Sequence, residues 1–278
     1  MFKNNAGIRI ATPILAIVIG AFLFLPLVWL VRTALTPPDE IFQTNFSWLP
    51  KVFTGENFAF AFAQTDLLRF LGNSLLTAGG AAVITTALAS YAAYGLAIFR
   101  FRFKRSLMTL FLLAQVFPVA LILVSLFPLL SDSGLLNNYG GLAIAYIILS
   151  LPSAIYIMHG FMMNIPLELV EAARIDGAGE VRTFHSVIVP IIRPALITVL
   201  LFSFMWGWND LLFSLTLISS QELLTLGPGL LSTYLGEFHD NWGGIMAASV
   251  IASIPVVVLF IWLQKYFVQG VTAGAVKG

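Results

Sequence analysis

Six apolar runs, at residues 10–31, 71–99, 107–130, 139–163, 194–219 and 242–263, divide the 278-residue chain. Each is about as long as the roughly 20 apolar residues a helix needs to cross a hydrocarbon core of about 30 Å. A segment in lipid must satisfy its own backbone polar groups, so runs of this length predict helices. The expected fold is an all-α membrane protein with six transmembrane helices, a single transmembrane domain over residues 1–278. Only 10% of the residues are charged, against about 25% in soluble domains. Lys3 and Arg9 precede the first run as in a signal peptide. That run exceeds a signal core of roughly 7–15 residues and no small-x-small site follows it, so it reads as a retained span.

With both termini placed in the cytoplasm, only Arg32, Lys51 and Arg69 of the 14 basic residues fall on outer segments. The positive-inside rule is then satisfied, and "RFRFKR" at 100–105 is a basic inner turn. There is no cysteine, which rules out disulfides and thiolate metal sites. Spans two and three carry no Asp, Glu, His, Lys or Arg, leaving His159 and Asp210 as the ionisable groups within the bilayer. Two isolated groups make a poor proton relay, which argues against a gradient-driven carrier. An intramembrane enzyme would need groups converging at one depth, whereas His159 and Asp210 read to opposite faces. His159, His185 and His239 have no metal-ligand spacing, and no nucleotide-binding glycine loop or hydrolase motif occurs.

The inner segment 165–190, "IPLELVEAARIDGAGEVRTFHSVIVP", is polar where its surroundings are not. Pro166 suits a helix start, and Glu168 and Glu171 favour the positive end of that helix. Gly177 can take the left-handed conformation that stops it, and a second short helix is predicted from Glu180 toward Pro190. The segment is longer than most connections. Both a docking corner and a plain joiner fit these residues.

The spacing Glu171-Ala172-Ala173, three residues, Gly177, nine residues, Val187-x-Val189-Pro190 resembles the signature loop of bacterial ABC-importer permeases. Valines stand where isoleucine and leucine are usual. The ending "GVTAGAVKG", 270–278, resembles that of the sugar-importing permeases related to the maltose system, with Val271 for the usual leucine. "NSLLTA" in span two and "QVFP" in span three extend the likeness over most of the chain.

The resemblance implies that 165–190 forms coupling helices seated in a cleft of a cytoplasmic ATPase. Glu171 is then placed to pair with a basic residue of that ATPase, and Gly177 makes the turn. It implies that Gly270, Thr272, Gly274, Lys277 and Gly278 enter the interface between two ATPase subunits; a frayed terminus is the alternative. Three glycines in nine residues disfavour a helix, so an extended tail over 265–278 is expected, with a reach of up to about 30 Å. The further implications are a bacterial inner-membrane location, a second homologous permease subunit, two ATP-binding subunits and an extracytoplasmic solute-binding protein. ATP and Mg belong to the partner; no cofactor, metal or nucleic acid is expected on this chain, which is a transporter subunit and not an enzyme. The solute is expected to be a carbohydrate, an oligosaccharide, with a non-sugar such as a polyamine as the alternative.

A sugar path needs hydrogen-bonding groups and aromatic faces inside the spans. Asn73, Gln115, Trp206, Asn209 and Asp210 are the candidates, with Ser74, Thr77 and Ser125 beside them. Gln115 precedes Pro118, which should kink its helix and free a carbonyl. An amide in hydrocarbon needs a partner, so Gln115 should face the interior, in the path or in a helix–helix hydrogen bond. Trp206 and Asp210, four apart, share a helix face and fit a sugar ring or a membrane-interface anchor equally.

Overall fold

The computed structural model describes residues 6–43, 47–238 and 240–275, and every regular element among them is a helix. In chain order these are α1 (Ala6–Ala34), α2 (Glu56–Ala63), α3 (Leu67–Ile98), α4 (Lys104–Ala114), α5 (Val119–Asp132), α6 (Tyr139–Met162) and α7 (Leu167–Ile175). They continue with α8 (Glu180–Thr183), α9 (Val189–Ile191), α10 (Arg193–Trp208), α11 (Leu212–Leu217), α12 (Leu226–Ser232) and α13 (Trp242–Ala275).

Four helices, α1, α3, α6 and α13, are long and apolar enough to cross a membrane. They match the first, second, fourth and sixth expected spans. Counting bent pairs raises the number to at most six. The third expected span is α4 and α5, bent by 99°. Pro118 has no amide hydrogen and bars helical torsions from the residue before it; it holds ψ at 124° and α5 starts directly after it. This kink is the one its position predicts.

The fifth expected span, 194–219, is not one helix. α10 stops at Trp208 and α11 begins at Leu212, because the Asp210 carboxylate accepts the N–H groups of Phe213 and Ser214 and so starts a new helix. The tail also departs from expectation: α13 is helical through Ala275. Gly270 and Gly274 each cost a helix about 0.5–1 kcal/mol relative to alanine. Extending an existing helix adds a hydrogen bond per residue with no new nucleus to form, and here extension prevails. Thr272 lies on this helix, while Lys277 and Gly278 fall outside the described residues.

Two compact units divide the chain: up to Leu67 with Leu230–Pro255, and Leu68–Gly229 with the chain from Val256. In the first, Asn57 is buried on α2 and donates to the carbonyls of Ala34 and Thr36 at 3.0 and 2.7 Å, closing the end of α1. In the second, α3, α6 and α10 approach closely through small residues. A Cβ at Gly207 would stand 2.7 Å from the Tyr146 ring and 2.8 Å from the Ala78 methyl. At one end of these helices Ala89, Ala93, Tyr94, Ala154, Met158, Met162, Ala195 and Val199 form a core, completed by Val170, Phe184, Ile188 and Ile192. The 165–190 corner is thereby built onto the helix ends.

Candidate functional site

The corner is set residue by residue. Pro166, with φ −59° and ψ 127°, precedes α7, and Glu168 occupies the first turn. At the far end Gly177 has φ +80°. The Ala178 N–H donates to the Ala173 carbonyl at 2.9 Å and the Gly177 N–H to that of Arg174 at 3.0 Å. This pair of bonds is a Schellman ending, which closes the last carbonyls of α7 and reverses the chain. The expected second helix follows from Glu180, through α8, a π-helical turn at Phe184–Ile188, and α9 with Pro190.

The corner has an inner and an outer face. Val170, Ala173, Phe184 and Ile188 are buried, whereas Glu171 and Ala172 are exposed. The two alanines of the motif thus do different things: Ala173 packs inward and Ala172 faces out beside Glu171. Ile175 is 86% exposed and Val181 69%, flanking the turn. Both are apolar side chains standing out from an otherwise charged segment. Val187 and Val189 are half-buried; the fully buried residue is Ile188 between them.

Sequence reasoning missed the polar tie behind this corner. Glu180 Oε1 receives the Arg174 guanidinium, from Nε at 2.9 Å and from Nη2 at 2.8 Å, and its Oε2 accepts the Tyr94 hydroxyl at 2.9 Å. The Phe184 ring stacks on Tyr91 at 4.5 Å and meets Tyr94 at 5.2 Å. The only signals for this were the opposite charges at 174 and 180 and the aromatic pair on α3.

Of the solute-path candidates, Trp206, Asn209 and Asp210 come together. They line a cavity of about 510 Å3 with Val119, Phe202, Met205 and Leu211–Phe213. Asp210 has prior commitments: besides starting α11 it accepts the Tyr146 hydroxyl at 3.0 Å. Gln115 lies elsewhere, exposed, with its Oε1 accepting the Ser153 hydroxyl at 2.7 Å. That is the helix–helix bond its type calls for, although the residue is not enclosed within this chain. Asn73 donates to the carbonyls of Glu222 and Leu224 at 2.9 and 2.8 Å, and Ser74 accepts the Leu226 N–H at 2.8 Å. Asn137 binds the N–H groups of Ser219 and Ser220. These three side chains hold segment 219–226 against α3 and the α5–α6 turn. Among the described residues no group of acidic and histidine side chains is placed to hold a metal.

A family profile described as "binding-protein-dependent transport system inner membrane component" matches residues 85–273. The chain belongs to that family. The match includes α7, the Gly177 turn and most of α13. The diacetylchitobiose uptake system permease of Streptomyces coelicolor is 34% identical over 99% of this chain and 100% of its own length. The trehalose transport system permease of Mycobacterium tuberculosis is 32% identical over 98% and 100%. A bacterial ABC transporter involved in importing the acidic polysaccharide alginate shares the fold, with a TM-score of 0.80 at 22% identity, covering 96% of this chain and 100% of that one. Within the family, the permease fold accounts for the long helices and for the corner carried at their ends.

Proposed function

We propose that this permease is a membrane subunit of an ATP-driven importer for an oligosaccharide, with six spans and both termini in the cytoplasm of a bacterial cell. It works with a second homologous permease, two ATP-binding cytoplasmic subunits and an extracytoplasmic solute-binding protein. ATP and Mg are used on the partner ATPase, and this chain contributes no catalytic group and binds no cofactor. ATP closes the two ATPase subunits, the corner follows the surface it sits on, and the spans re-tilt so that the solute path opens to the other side.

One observation carries the reading: a Schellman-closed corner packs its inner face on α3, α6 and α10 and turns Glu171, Ile175 and Val181 outward. Among the described residues Glu171 takes part in no ion pair, which leaves it for a basic residue of the ATPase. The sugar assignment is supported by relatives named for diacetylchitobiose and trehalose transport. Purification from the native host tests the assembly: an ATP-binding subunit and a second membrane chain should accompany this one. Its purification alone, from membranes that still take up sugars, would refute the reading. Calorimetry of the co-encoded binding protein against diacetylchitobiose, trehalose and putrescine tests the solute class, and heat from putrescine alone would overturn the sugar.

A further inference from the structure

We propose that Glu180 is a positioning residue that ties the corner to α3, so that a displacement of α7 reaches this long helix directly. The proposal rests on the coupling role above and says where the push goes. Two covalent routes leave the corner. One runs back to α6. The other runs forward through the π-helical turn Phe184–Ile188 and then an 82° bend into α10. π-helical turns are rare, marginal insertions into helices, and a turn followed by a sharp bend can absorb motion by changing angle.

The non-covalent route has no such seam. One carboxylate holds Arg174 of α7 on Oε1 and Tyr94 of α3 on Oε2, all at 2.8–2.9 Å. Hydrogen bonds to charged groups are the strong and directional ones. Glu180 itself begins α8, so a single side chain joins both arms of the corner across Gly177 and fixes them to α3. Phe184 seats the second arm on the Tyr91 and Tyr94 rings, and the Tyr91 hydroxyl lies 2.8 Å from His185 Nε2. Stacking resists separation but allows sliding; the carboxylate bonds stop the slide. Tyr94 is 5% exposed, so Tyr94→Phe deletes one hydroxyl and leaves the ring packing in place.

The chain has no native cysteine, so a spin-label pair can be introduced at Arg182 on the corner and Leu88 on α3, both of them exposed. The complete importer, with its ATPase subunits, is measured nucleotide-free and trapped with ATP and vanadate. With Tyr94 and Glu180 intact, one narrow distance is expected in both states. In Tyr94→Phe and in Glu180→Gln the distance should shift and broaden on trapping, with the ATPase still bound and hydrolysing. A residue that merely stabilises the corner lowers the melting temperature and leaves the distance independent of nucleotide. An unmoved distance in both variants, or a nucleotide-dependent distance with both residues intact, overturns the tie. Tyr94→Phe carries the test if Glu180→Gln fails to assemble. Absence of any ATPase from the intact preparation would instead overturn the docking reading, so the two failures are distinguishable.

Discussion

At Gly177 the backbone holds φ +80°, and a Cβ built there would meet nothing within 4 Å. The glycine is thus required for its torsion and not for space within this chain. Asparagine and aspartate enter the left-handed region more readily than other residues, and β-branched ones hardly at all. Gly177→Asn should therefore retain most ATP-driven uptake in membrane vesicles, whereas Gly177→Val should lose nearly all of it. Equal losses in the two would mean that bulk at the docked surface, and not torsion, sets the requirement. Gly177→Asp keeps the torsion and adds a charge to the exposed corner, so it should insert normally and uncouple. Asp210 is a second case where local bonding defines the role. Asp210→Ala removes the acceptor for two N–H groups and the Tyr146 hydroxyl, a cap loss of about 0.5–2 kcal/mol before the phenol is counted. The purified variant should melt at a lower temperature, and Asp210→Asn, which keeps one acceptor, should melt between the two.

Among elements, the long apolar helices were readable because their length and composition satisfy the bilayer by themselves. The corner was readable too, from Pro166, Gly177 and the charges between them. The break at Pro118 was visible because proline carries its cause with it. The break after Trp208 was not, since it depends on where the Asp210 carboxylate turns, and "WND" within an apolar run has no period to betray that. The tail misled for the opposite reason: its glycines argue locally against a helix, but an established helix enters from α13. The order of segment 219–226 comes from Asn73, Ser74 and Asn137, which are about 80 to 150 residues away in sequence, beyond the reach of any local pattern. Asn73→Ala should accelerate deuterium exchange at 222–226 without altering exchange in α7. Unchanged protection at 222–226 would show that those carbonyl bonds do not hold the segment.

Across the whole molecule, the helices divide by what surrounds them. Half of the apolar window in α3 and in α6 is buried within the chain, but none of that in α1 is. α1 presents its apolar surface all round, as a helix in lipid or against another subunit does. The topology can be tested on the natural cysteine-free background. A single cysteine at Asp176 should react with a membrane-impermeant maleimide only from the cytoplasmic side, and one at Glu222 only from outside. Reaction of both from the same side would discard the six-span arrangement. The central claim, that the 165–190 corner meets a separate ATP-hydrolysing subunit, is tested most directly at Ile175, its most exposed apolar residue at 86%. A photocrosslinking amino acid placed there, in vesicles carrying the whole importer, should form its adduct with the ATP-binding subunit. Adducts with lipid alone, or with the external solute-binding protein, would contradict the account.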